Sequence, residues 1–174
     1  MKLTWAIRFL AIVAVMGLSI TVVNAQEGSR TFVATLSGFN EVAPILTDGS
    51  GRFRATVQGD HLTYTETFSG LGSNVTQSHI YFAQRGVNGG IFLFLCSNLG
   101  NGPVGTPACP AGGGTVTRTV SAADFLAVAA QNVPPGSFAN ALRILRSGDA
   151  YVNVHTASFP GGEIRGQVRA TDDD

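Results

Sequence analysis

The chain has 174 residues, 44% of them hydrophobic and only 13% charged, and its 11 Lys and Arg balance 11 Asp and Glu to a net charge of zero. A chain with no basic excess has no stripe of cations to neutralise phosphates or to hold an anionic membrane surface, which argues against nucleic acid as a partner. Its two cysteines are also too few for a structural zinc-thiolate site, which needs four ligands.

Lys2 and Arg8 supply a positive start, Phe9 to Val23 is almost wholly apolar, and Val23-Asn24-Ala25 ends in a small residue that a signal peptidase accepts. Residues 1–25 are therefore expected to be a secretion signal. The competing reading is an uncleaved anchor, but the apolar run is about 15 residues, short of the roughly 20 that span a bilayer as a helix. No membrane span is expected after cleavage. About 149 residues then remain, enough for one domain with a sizeable core. That domain is expected over residues 29–170, with 171–174 as an acidic disordered tail.

Period-two alternation dominates the mature chain. Phe32, Ala34 and Leu36 alternate with Thr31, Val33 and Thr35, and Phe53, Ala55 and Val57 alternate with Arg52, Arg54, Thr56 and Gln58. Gly59-Asp60 then separates the second strand from a third over His61–Phe68, at a spacing that suits a tight hairpin. Glu66 falls on the face of Leu62, Tyr64 and Phe68, which predicts either an edge position or a reversed face.

Ser78–Ala83 and Gly90–Cys96 read as two more strands around a turn, Gln84 to Gly89, stocked with residues that tolerate positive φ. Ile91 to Leu95 is apolar on both faces, which predicts a strand buried on both sides under a helical cover. Cys96 and Cys109 are the whole thiol inventory of a chain expected to be exported, so a disulfide is expected. It would staple a Gly- and Pro-rich loop. The spacing is not the Cys-x-x-Cys of a redox pair.

A helix is expected to begin near Ser121, with Asp124 three residues on in a capping-box pattern, and to run through Phe125–Ala130 until Pro134-Pro135-Gly136. A second is expected over Phe138–Leu145, stopped by Ser147-Gly148. Turn signals every 8 to 12 residues complete the pattern of an all-β or mainly β protein. The expected fold is an antiparallel β-sandwich or barrel-like domain with a short helical insert around residues 121–146.

The last hairpin is the most informative stretch. Val152 and Val154 occupy one face of the Ala150–Thr156 strand, and Tyr151, Asn153 and His155 the other. Pairing apolar with apolar sets Val154 opposite Ile164, and then Asn153 opposite Arg165, Tyr151 opposite Gln167, and His155 opposite Glu163. A one-residue slip would set His155 against Ile164. Gly166, opposite Val152, is expected to leave room for a bulky neighbour. Tyr151, Asn153, Glu163, Arg165 and Gln167 thus form a polar face, either a connected network or an ordinary wet surface.

His79 and Tyr81 share a face about 6.8 Å apart at strand rise. With His155 they could form part of a copper or zinc site, an imidazole pair with a phenol. The remaining histidine, His61, sits at a hairpin start with no motif around it.

Taken together, Leu36-Ser37-Gly38-Phe39-Asn40-Glu41-Val42-Ala43-Pro44, Ser78-His79-Ile80, Gly86-Val87-Asn88-Gly89-Gly90, Ala150–Thr156 and Phe159–Gln167 resemble the CHRD (chordin-type) domain over nearly all of residues 31–169. The resemblance implies an extracellular or periplasmic β-rich module without enzyme activity. Family members often show His-x-His where this chain has His79-Ile80-Tyr81, which weakens a metal site borrowed from that pattern. The domain stands without cysteine-rich repeats, so growth-factor binding is not carried over.

No Gly-x-Ser-x-Gly elbow is present, and glycoside chemistry would need two converging carboxylates, for which Glu41, Glu66 and Glu163 are candidates only in that they are present. The leading expectation is a secreted or periplasmic non-catalytic binding or structural module, with no cofactor and with an extracellular protein or matrix partner. The alternative is a copper or zinc binding protein, with redox activity as one form of it, that uses His79, Tyr81 and His155.

Overall fold

The computed structural model describes residues 30–171, and the expected signal segment and the terminal Asp172 to Asp174 lie outside them. Alternation is realised as nine strands among the described residues: β1 (Thr31–Ser37), β2 (Ser50–Gln58), β3 (His61–Ser69), β4 (Val75–Phe82), β5 (Gly90–Ser97), β6 (Gly114–Val120), β7 (Ala150–Thr156), β8 (Ile164–Gln167) and β9 (Arg169–Thr171). They form one antiparallel sheet in the order β5-β4-β7-β8-β1-β2-β3-β6, with β9 also on β1. The sheet curls into a nearly closed barrel whose end strands, β5 and β6, lie against each other. Across that seam the Tyr64 hydroxyl donates to the Leu95 carbonyl.

The inward residues of the alternating strands make the core. Phe32, Leu36, Phe53, Leu62, Phe68, Ile80, Leu93, Leu95, Val152, Val154 and Ile164 are all at most 2% exposed. Each such side chain stabilises the fold by about 1.5–3 kcal/mol relative to exposure. Cys96 and Cys109 are bridged and tie β5 to the segment that leads into β6.

Two expectations are corrected. Glu66 is on neither an edge nor a reversed face: β3 lies between β2 and β6, and Glu66 points inward, fully buried, accepting from Ser78 Oγ at 2.7 Å. Burial pushes its carboxyl up to about 8, so it stays protonated at neutral pH and avoids placing a bare charge in the barrel.

The helix expected from Ser121 is absent. The capping box of Ser121 and Asp124 forms, but it opens only a 3₁₀ turn, Ala122–Asp124, and a second such turn covers Ala129–Gln131. Between them the chain runs along β5, where the Leu126 N–H donates to the Phe92 carbonyl and the Phe125 ring stacks on Phe92. β5 is thus flanked along its edge by an irregular segment and not by a helix.

β6 was not anticipated, although Thr115, Thr117 and Thr119 alternate there with Val116, Arg118 and Val120. The second expected helix is present as α1 (Phe138–Ser147), capped by Ser137 and ended by Gly148 at φ +78°.

Candidate functional site

The β7–β8 register pairs Tyr151 with Gln167, Val152 with Gly166, Asn153 with Arg165 and Val154 with Ile164, as the apolar pattern requires. Gly166 has a different reason from the one expected. A Cβ there would lie 2.3 Å from the Thr35 carbonyl oxygen, so β1 backbone, not a bulky side chain, occupies the space.

The expected pairing of His155 with Glu163 does not form. The Glu163 N–H donates to the carbonyl of Val154, whose register partner is Ile164, so two residues oppose one. That bulge turns Glu163 away from His155. Its carboxylate instead accepts from Thr47 Oγ1 at 2.7 Å, Thr156 Oγ1 at 2.7 Å and the Gly72 N–H at 2.8 Å, and the side chain is fully buried.

The outer face of β4, β7 and β8 carries the other candidates, and it is not a wet surface. Tyr151, Asn153 and Arg165 are 2–3% exposed beneath two crossing segments, a strap from Gly38 to Thr47 and the β4–β5 loop, while His155, 4% exposed, lies against Tyr81, His79 and Pro160. Arg165 holds the loop: Nη1 donates to Asn88 Oδ1 at 2.9 Å and Nη2 to the Val87 carbonyl at 2.8 Å, and the guanidinium lies 3.6 Å over the Tyr151 ring. Such a cation–π contact contributes about 0.5–2 kcal/mol.

Gln167 Nε2 donates to the carbonyls of Ala83 and Gly148, joining the same loop to the end of α1. The strap is held by the Asn40 amide, which donates to the Arg165 carbonyl, and by Asn153, whose amide reaches Glu41 Oε2 at 3.5 Å.

His79, Tyr81 and His155 come together. The Pro160 carbonyl, 3.0 Å from His155 Nδ1, can only accept, so that nitrogen carries the proton and Nε2 is the acceptor. Tyr81 then donates its hydroxyl proton to His155 Nε2 at 2.8 Å and accepts from His79 Nδ1 at 3.2 Å. His79 Nε2 is left with a lone pair and, among the described residues, no partner. The His79 ring packs edge-on to Phe94, with 4.2 Å between centroids.

Burial pushes the His79 imidazole down to about 3, with His155 adding to the shift, and it also lowers His155. Burial raises the Tyr81 phenol. All three are therefore neutral at pH 7, joined by a one-way chain of hydrogen bonds.

Sequence reasoning did not place Glu41 here. It is 7% exposed, its Oε1 has no partner among the described residues, and burial pushes its carboxyl up to about 7 against the opposing pull of Arg165. Nothing in the local pattern marks it, since it belongs to a strap without periodicity. Among the described residues no group of three His, Cys, Asp or Glu side chains is placed to hold a metal ion.

A family model described as the CHRD domain matches residues 32–168. No curated protein and no solved structure shows significant similarity to the chain. The matched span runs from β1 to the end of the β7–β8 hairpin and includes every candidate residue named above. The chain belongs to the CHRD domain family.

Proposed function

We propose that this protein is an exported, non-catalytic CHRD module that acts by presenting a binding surface to an extracellular partner. One observation carries the reading. The polar side chains best suited to chemistry are engaged in holding the fold: Tyr81 bridges two imidazoles, Arg165 is taken up by the β4–β5 loop and Tyr151, and Glu163 satisfies three donors.

A catalytic acid or base needs a proton-transfer partner in a substrate, and these groups face each other. Export is supported by the charged start and apolar run before Ala25 and by the disulfide, which persists in oxidising compartments. Among the described residues no helix is long and apolar enough to cross a membrane.

Copper or zinc binding is the second reading, favoured by the convergence of His79 Nδ1, Tyr81 Oη and His155 Nε2 and by the unpartnered His79 Nε2. The raised phenol works against it, because a phenolate ligand would have to form in a site that resists the charge. Protein purified from its native compartment is expected to begin at Gln26 by mass spectrometry and to be metal-free by elemental analysis. Stoichiometric copper or zinc, lost in a folded His155→Gln variant, would replace the first reading with the second.

A further inference from the structure

The strap and the β4–β5 loop, pinned by β8, are the two walls of a groove. Two adjoining cavities of about 250 Å³ each lie there and share Asn40, Arg85 and Gln167. Their combined size falls within the roughly 300–1,000 Å³ of small-ligand sites.

Charge in the groove is one-sided. Arg165 forms part of the floor of one cavity, Arg169 lines the other and Arg85 borders both, while Glu41 is the one carboxyl among the lining residues. Arg85 and Arg169 are exposed, and although the Arg169 backbone pairs with Val33, neither guanidinium has a hydrogen bond or ion pair among the described residues. Glu41 brings the unpartnered Oε1, on a side chain 93% buried by its 7% exposure, and Phe39 stands at the rim 69% exposed.

The geometry points to an acidic oligosaccharide as the ligand of this groove, a chain of sugar rings bearing carboxylates. Three features match that chemistry. Unpaired guanidinium forks fit carboxylates with two parallel hydrogen bonds. The Glu41 carboxyl lines one cavity and leaves its buried Oε1 unsatisfied, so a side-chain rotation that turns this oxygen to the groove gives a sugar hydroxyl an acceptor. An exposed aromatic ring offers a flat face to the C–H side of a pyranose. Two joined cavities with one shared boundary set suit consecutive rings better than a single compact anion.

The inference rests on the binding-module reading and names its ligand. Isothermal titration of the mature protein with trigalacturonate is expected to show saturable binding that weakens as salt is raised. The fully methyl-esterified trimer, uncharged at the same positions, is expected to bind at least about tenfold more weakly. The Arg85→Ala/Arg169→Ala double variant should lose about tenfold or more with an unchanged melting temperature, since both side chains are solvent-facing. Phe39→Ala should weaken both trimers.

Equal binding of the charged and esterified trimers, unchanged affinity in the folded double variant, or no binding at all overturns the assignment. The module reading survives any of these, because metal content and the mature N-terminus judge it. Cleavage of the trimer in the same titration would support the groove as a sugar site and overturn the non-catalytic reading instead.

Discussion

On the inner face of β7 and β8, Val152, Val154 and Ile164 are fully buried; on the outer face of the same strands, Tyr151, Asn153, His155 and Arg165 are 2–4% exposed. Degree of burial does not separate the two faces. The inner one is filled by shape, in contact with the rest of a barrel core whose inward polar exceptions include the Glu66–Ser78 pair. The outer one is filled by direction, because most of its donors and acceptors meet specific groups, on the crossing segments for Asn153 and Arg165 and on neighbouring strands for His79, Tyr81 and His155. Apolar packing holds the barrel together, and the polar face decides where strap and loop lie.

Ile164→Ala is the largest expected break. A fully buried side chain is lost from the inner face, at a cost of about 2–5 kcal/mol. Chemical denaturation should show a lower midpoint with the transition still cooperative, and hydrogen exchange should quicken throughout the barrel. If the loss fell only on the strap and loop, the division between the faces would be wrong.

Arg165→Met should cost about 1–3 kcal/mol by leaving Asn88 and the Val87 carbonyl without their donor. Its signature is local: exchange of the amides from Gln84 to Gly89 accelerates while β2 and β3 keep their protection. Uniform acceleration would show that the outer face supports the barrel and does not merely position the loop.

Tyr81→Phe removes only the hydroxyl between two imidazoles, and about 1 kcal/mol is expected. The ring should remain stacked on Tyr151, 4.8 Å between centroids. By NMR, loss of the chain should shift the His155 Nε2 and His79 Nδ1 resonances together. A shift at one imidazole alone would show that Tyr81 bonds only that histidine and that the chain of hydrogen bonds is incomplete.

A pH profile sets the faces against each other. His79, held down to about 3 when folded against 6.5 when unfolded, makes the unfolded state bind more protons in that window, so stability falls as pH drops from 6.5 towards 3. Glu66, held up at about 8 against 4.5, makes the folded state bind more protons, so stability falls as pH rises from 4.5 to 8. For this pair the curve of unfolding free energy against pH is nearly flat between 4.5 and 6.5 and declines on either side; Glu41, raised from 4.5 to about 7, adds to the loss as pH rises between those values, and His155, lowered by burial, opposes it. Glu66→Gln should flatten the alkaline decline and leave the acid one. An unchanged alkaline limb would show that Glu66 is not held protonated.

Much of this was legible from local pattern. Alternation located most of the strands, and the placement of Val152, Val154 and Ile164 set the hairpin register, because a slip by one residue would send every apolar group to the other face. Ser137 and Gly148 bound α1 as caps do in any helix. The Cys96–Cys109 bridge followed from there being two thiols in a chain with an export-like start.

Other features depended on distant neighbours. The run Phe125 to Ala130 has helical composition, yet Leu126 bonds the Phe92 carbonyl and Phe125 stacks on Phe92, and the run turns only at its end, in the 3₁₀ turn Ala129–Gln131. Glu66 seemed misplaced on an apolar face because Ser78, its partner, comes from another strand. Glu163 parted from His155 because a bulge, invisible to a period of two, turned it towards Thr47 and Gly72.

By itself, then, the sequence determined which residues face the barrel interior, since side-chain alternation is a property of each strand alone. Only the tertiary structure decided that the opposite face is also buried, that Glu41 belongs to it, and that Arg85 and Arg169 border one groove. Those facts depend on where the Gly38–Thr47 strap and the β4–β5 loop cross strands far from them in the chain, and no local period encodes such crossings.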